Sequence, residues 1–479
     1  MAASETVSET INETSRVRST KPFGIKDKLG YMFGDFGNNM TFTFASSFLM
    51  IFYTEVLGIP GAAVGTLFLV SRIVDAFTDV GMGRIVDKMK GTKDGKFKPW
   101  IKWVAGPIAL ASFLMYQSSM AGAPMGIKMV YMYVTYILWG SIFYTAINIP
   151  YGSMASAISA NPDERTQLSV FRGAGSTIAA MLIGTLSPLF IYTTDAAGNQ
   201  MVRGGSTFTI LAGVFSLIAI ISYVLCYKLS TERVRINTNT TENTSLAKSI
   251  SKLLRNRSLL AIMAASVFLL LVMILIQSMN NYIFPFYYGS SAGVSLVNFM
   301  MPLITLLIAM PLASKLTTKF GKKEVSSVAM FAAAIVYGIL YFVRPENMYV
   351  FMAGVVIAFM SVGIFNAVVW ACVTDVIDDL EIETGQREDG TVYAVNSFAR
   401  KVGQALAGGA AGWSLTFIGY DAGAGGQQTP EVLAGIFDVS TLIPTIGFLI
   451  AGLILAFWYP LSKSKTVENQ QILAEKNAE

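Results

Sequence analysis

Apolar stretches of about 20 residues recur along the chain from Leu29 to Pro460, separated by short polar breaks. A run of that length matches the bilayer hydrocarbon that one α-helix crosses, and a helix in lipid satisfies all its backbone groups internally. Twelve spans follow from the pattern: 29–57, 63–86, 100–121, 127–154, 166–192, 204–229, 257–288, 293–317, 324–343, 347–376, 390–419 and 432–460. The longest polar interruption, 230–256, is rich in Thr, Asn, Ser and basic residues and follows the sixth span. The halves on either side echo each other, since GRIVDKMKGTKDGKFKP follows span 2 and SKLTTKFGKKE follows span 8. Parallel repeats of this kind mark the major facilitator architecture. The pattern thus predicts an all-α membrane protein of twelve transmembrane helices in two six-helix bundles. Its parts are a tail 1–28, a bundle 29–229, a linker 230–256, a bundle 257–460 and a tail 461–479.

Composition agrees: 53% of the residues are hydrophobic and 14% charged, whereas an ordinary soluble domain carries about 25% charged residues. The apolar surplus has to face lipid. Counted with the N-terminus inside, 27 of the 35 lysines and arginines fall in the tails and even-numbered loops, against three (Lys128, Arg203 and Arg344) in the odd-numbered ones. The positive-inside rule then places both termini in the cytoplasm. The net charge of +5 is spread over short loops and forms no basic face, so no nucleic-acid partner is expected. The first 28 residues hold no apolar core, which reads as a disordered cytoplasmic tail and not a signal peptide.

The same inventory excludes several chemistries. Histidine is absent and no Walker-type GxxxxGK[ST] occurs, which removes the usual acid–base, metal and phosphate devices of an enzyme. Cys226 and Cys372 sit in apolar surroundings and read as inert thiols. No catalytic residue, metal or cofactor is expected, and any proton traffic falls to carboxylates.

An ionisable group deep in a span is expensive and is a functional candidate by default. Five cations lie within spans: Arg72, Arg84, Arg172, Arg400 and Lys401. In span 2, SRIVDAFTDVGMGRIVD places Arg72, Asp75 and Asp79 at i, i+3 and i+7 on one face. Two carboxylates one turn apart in low dielectric either share a proton or bind a small cation, so the pair is a coupling site. Arg84, Asp87, Asp375 and Asp378 stand near the inner span ends, where charged pairs can act as gates. In span 11, GTVYAVNSFARKVGQALAGGAAG carries Asn396, Ser397, Arg400, Lys401 and Gln404 among small residues that allow close helix contact. Lys401 can neutralise Asp75 and Asp79 when no cation is bound. The polar run Asn38, Asn39, Asn148, Ser153, Asn396 and Ser397 suits a hydroxylated ligand, and with Asp35 and Arg172 these supply the candidate substrate contacts, with Tyr151 and Trp370 as sugar-stacking platforms.

These residues carry a resemblance over nearly the whole chain. GDFGNN (34–39), GTLFLVSRIVDAFTD (65–79), GKFKPW (95–100), NIPYGS (148–153) and FARKVGQALAGG (398–409) resemble, in order, the motifs of the glycoside-pentoside-hexuronide:cation symporter family. The last two, with TPEVLAGI, look most like its glucuronide and isoprimeverose (xyloside) branches. The resemblance implies that Asp75 and Asp79 are cation ligands, Thr78 and Thr145 further oxygens, Lys401 the countercharge, and Arg172 and the first helix sugar contacts. Asn39 and Asn148 stand where galactoside-carrying members have aspartates, and Thr78 where a sodium-coupled member has asparagine. The expectation is a cell-membrane symporter, of bacterial cytoplasmic-membrane type, importing a glucuronide or xyloside with H+. Na+ coupling and a lipid-handling relative of the same family are the competing readings.

Overall fold

The apolar runs are helical in the computed structural model, which describes residues 21–89, 91–196, 198–234, 256–385, 389–422 and 427–476. Twelve long helices follow one another. The first six are α1 (Ile25–Ile51, continued by a π-helical turn Phe52–Val56), α2 (Gly61–Lys88), α3 (Lys98–Leu114), α4 (Met125–Ile158), α5 (Pro162–Ile191) and α6 (Ser206–Leu229). The second six are α7 (Arg257–Tyr287), α8 (Ala292–Phe320), α9 (Lys322–Val343), α10 (Met348–Thr384), α11 (Asp389–Phe417) and α12 (Pro430–Trp458). Among the described residues nine of these are long and apolar enough to cross a membrane by length and composition. The other three are the 17-residue α3, α1 with its polar GDFGNN turn, and α11 with Arg400 and Lys401.

Local signals set the boundaries. The side chain of Asn347 accepts the Tyr349 N–H and caps α10, and Thr429 does the same for Val432 ahead of Pro430 at the start of α12. α10 runs on to Thr384, past the expected end at 376, because the polar VTDVIDDLEIET stretch continues the helix until Gly385 takes φ +72°. Residues 461–479 were expected as a tail, yet Lys463–Lys476 forms a further helix, α13. It docks through Asn469, which donates to Asp379 on α10 at 3.0 Å. Between α5 and α6 a small antiparallel hairpin pairs β1 (Tyr192–Thr194) with β2 (Gln200–Val202). Residues 1–20 and 235–255 lie outside the described part.

By contact density the chain divides into two units that do not coincide with its halves. One takes the residues up to Phe52, Ile73–Ser187 and the stretch from Gly204 through α6. The other takes Tyr53–Arg72, Pro188–Arg203 and the second half. In this second unit the start of α2 packs on α11 through small residues, where a Cβ on Gly412 would meet the Gly61 carbonyl oxygen at 2.2 Å.

The repeat extends to backbone detail. After α1, Gly58 takes φ +64° and the Ile59 N–H donates to the Tyr53 carbonyl at 2.9 Å. At positions 231 residues later (53 to 284, 59 to 290) the Ser290 N–H donates to the Phe284 carbonyl, also at 2.9 Å, and Gly289 takes φ +65°. Large apolar side chains such as Phe342, Phe417 and Phe457 stay on the outside, at 83%, 92% and 75% exposure, which suits lipid and not water.

The end of the first unit that bears the basic loop is tied by buried charges. Glu232, just after α6, accepts the backbone N–H groups of Lys96, Phe97 and Lys98 at 2.7, 2.9 and 2.7 Å. Gly95 turns at φ +135°, and a Cβ there would press on the Glu232 carboxyl carbon at 2.4 Å. Its neighbour Arg233 grips Asp27 with two nitrogens, at 3.0 and 2.8 Å, closing the start of α1 onto the same segment. Glu232→Ala orphans three donors at a buried helix start. The expected cost is about 2–4 kcal/mol, with a smaller loss for Glu232→Gln, which keeps one acceptor. Thermal unfolding of the purified protein checks this, and equal melting temperatures for all three would refute the anchor.

Candidate functional site

Asp75 and Asp79 stand one turn apart on α2 and both meet α4. Ser141 Oγ donates to Asp75 Oδ1 at 2.5 Å and Thr145 Oγ1 donates to Asp79 Oδ1 at 3.0 Å. Both contacts advance by four residues in the same direction, so α2 and α4 run parallel, as two even-numbered spans must. Asp75 and Thr145 are buried and Asp79 is half-buried. Ser141 lies in a π-helical stretch, Ile137–Tyr144, four residues ahead of Thr145. Sequence reading named Thr145 and passed over Ser141. A second hydroxyl four residues upstream, matching the acid spacing, was the available signal. Thr78 directs its hydroxyl into its own helix, donating to the Val74 and Asp75 carbonyls, both at 3.2 Å. Arg84 is exposed, and the Asp87 side chain lies outside the described residues.

A second polar cluster joins α1, α4, α5 and α6. Arg172 Nε on α5 donates to Asp35 Oδ1 on α1 at 3.0 Å. Asn39 folds back to donate to the other oxygen of Asp35 at 3.2 Å, which fixes the carboxylate. Beside it, Asn38 is held by the Tyr223 hydroxyl at 2.9 Å and reaches Asn148 at 3.5 Å. Tyr151 stacks on Tyr31 with centroids 4.6 Å apart, donates its hydroxyl to the Tyr31 carbonyl at 2.5 Å, and lies 5.2 Å beneath the Arg172 guanidinium. Gly34 makes room for that ring, since a Cβ there would sit 2.2 Å from it. With 1% exposure Tyr151 has no surface to offer a sugar, so the stacking expected of it does not fit this geometry, and its ring instead supports Arg172. Tyr31 and Tyr223 escaped the sequence reading, because tyrosines in apolar runs read as core or interfacial belt. The cluster presents amide, guanidinium and carboxylate groups, the donor–acceptor mixture that hydroxyl-rich ligands require.

In the second unit, Asn396 on α11 is wholly buried, and among the described residues neither its amide nitrogen nor its oxygen finds a partner. One turn on, Arg400 lies over the Trp370 ring of α10 at 5.4 Å. Lys401 is half-buried, and the Ser397 side chain lies outside the described residues. Asp375 is bound by Lys322 of α9 at 2.6 Å, while Asp378 is half-buried. Asp379, which sequence reading did not single out, accepts from Ser258 at 2.7 Å in addition to Asn469. Both cysteines are buried as free thiols.

Comparison with known proteins agrees with this architecture. The family described as MFS/sugar transport protein matches residues 30–463. The symporter YjmB of Bacillus subtilis, whose activity is uncharacterised, is 31% identical over 98% of this chain and 99% of its own length. The glucuronide carrier protein homolog of Escherichia coli is 29% identical over 92% and 93%. Among solved structures, the D-xylose–proton symporter superposes with a TM-score of 0.63 at 14% identity, covering 92% of this chain and 98% of that one, a likeness of fold. The chain is therefore a multi-pass membrane transporter with the major facilitator fold and belongs to the MFS/sugar transport protein family.

Proposed function

We propose that the protein is a secondary symporter that imports a glycoside, either a glucuronide or a pentoside such as isoprimeverose, together with H+ by alternating access. The observation that carries this reading is the pair of carboxylates one turn apart on α2, each bound by one α4 hydroxyl. Two acids this close in a membrane helix exchange a proton or cation at the cost of a full charge, which is what gradient coupling requires. Lys401 supplies the positive charge of the unloaded carrier. The polar cluster of Asp35, Asn38, Asn39, Asn148 and Arg172 receives the sugar, and the glucuronide carrier homolog among the relatives supports a glycoside of that class. Arg84, Asp87, Asp375 and Asp378 serve as gate charges near the helix ends, with 230–256 as the link between the two halves. The test is counterflow in proteoliposomes against glucuronides, xylosides, galactosides and glucosides, followed by accumulation under a pure proton and a pure sodium gradient. Exchange of a glucuronide or xyloside with proton-driven accumulation is expected. Exchange of none of the panel would overturn the reading, and accumulation only with sodium would replace the coupling ion.

A further inference from the structure

We propose that Arg400, held on Trp370 beside Asn396, is the receptor for an anionic substituent on the transported sugar, a carboxylate or a sulfonate. The inference deepens the transport reading above and rests on it for the word sugar. Its starting point is an imbalance between the two buried guanidinium groups. Arg172 has its charge met by Asp35 at 3.0 Å within its own unit. Among the described residues no carboxylate pairs with Arg400, and its Nη1 is buried without a hydrogen-bond partner. One turn earlier on the same helix face, Asn396 is 0% exposed with both amide atoms unpartnered. Helical side chains lean toward the N-terminus, so the Arg400 guanidinium covers the turn that carries Asn396.

Three polar atoms on adjacent turns without a protein partner among the described residues each carry a desolvation cost. An unpaired cation in a membrane protein adds to it and is tolerated where it serves a polar ligand. The planar fork of arginine matches a carboxylate or sulfonate through two parallel N–H donors. The Arg400 guanidinium lies over the Trp370 ring at 5.4 Å, a cation–π contact, and Arg400 is itself only half-buried, so the group is both held and reachable. A neutral glycoside would leave the Arg400 charge unanswered. An anionic one completes it, which gives the site its selectivity.

The experiment uses the full chain in proteoliposomes with two matched pairs, methyl glucuronide against methyl glucoside, and a 6-sulfonated glucoside against the same glucoside. Wild type is expected to exchange an anionic partner at least about tenfold better than the glucoside. Arg400→Gln should bring that ratio to about one, and Arg400→Lys should keep part of it. The pair showing the larger ratio tells carboxylate from sulfonate. A ratio unchanged in Arg400→Gln, whether both rates fall together or neither falls, would overturn the proposal, as would a wild type that prefers the glucoside while still transporting. If no glycoside is exchanged at all, the transport reading has failed, and the Arg400 site is judged alone by thermal stabilisation of the purified protein with free glucuronate and with an alkyl sulfonate. Stabilisation lost in Arg400→Gln and partly kept in Arg400→Lys upholds it, and equal behaviour of the three proteins overturns it.

Discussion

Asp79→Asn in reconstituted protein is expected to abolish uphill accumulation of the sugar while exchange of sugar for sugar continues. The substitution keeps the shape and the Thr145 contact, now to an amide oxygen, but removes one of two charges that sit one turn apart. Neutralising a carboxylate within a membrane helix changes the local field by a full unit, an effect of several kcal/mol. Since about 1.4 kcal/mol already corresponds to tenfold in an equilibrium, accumulation should drop by at least about tenfold. The proposed sugar contacts lie on α1, α4 and α5, with Arg400 of α11 for an anionic substituent, and use neither Asp75 nor Asp79, so exchange is expected to persist. Ser141→Ala and Thr145→Ala give the graded version, each removing one hydrogen bond to a charged group, about 1.5–3 kcal/mol, and shifting the apparent cation affinity without abolishing coupling. Asp79→Asn that accumulates substrate at the wild-type level under either gradient would place the coupling site elsewhere.

Arg172→Ala should remove sugar binding of every class, neutral and anionic alike, in contrast to the charge-selective loss expected at Arg400. Arg172 is bound to Asp35 and rests over Tyr151, so in the proposed site it would meet the ligand as one half of a compensated pair and read hydroxyls, not net charge. The truncation also leaves the buried Asp35 without its partner. A fully buried broken pair costs about 3–5 kcal/mol, and the 38% accessibility of the Arg172 side chain brings the figure below that range. The double variant Asp35→Asn/Arg172→Gln separates the two effects, because it removes the unpaired charge and should recover thermal stability without recovering binding. Equilibrium binding of the best substrate alongside thermal unfolding checks both. An Arg172→Ala affinity within about threefold of wild type, roughly 0.7 kcal/mol, would make Arg172 a structural anchor only.

Twelve helices and the acid pair on α2 could be read from the chain alone, because both depend on local periodicity. Apolar runs of the right length have only one stable form in lipid, and residues four apart share a helix face wherever that helix packs. The small-residue approach of α11 was legible for the same reason, as glycines in FARKVGQALAGG announce a close neighbour without naming it. What the chain could not disclose was which partner each polar residue meets. Ser141 against Asp75, Tyr223 against Asn38 and Arg172 against Asp35 join residues 66, 185 and 137 positions apart, and such pairings follow from the path of the whole chain. Tyr151 shows the difference most clearly: an aromatic beside a polar motif reads as a sugar platform, and only packing against Tyr31 and Arg172 buries it. Arg400 shows the reverse. Its sequence neighbours give no sign that no carboxylate among the described residues pairs with it, since that is a property of the space around a side chain, and that space exists only once α10 and α11 have packed.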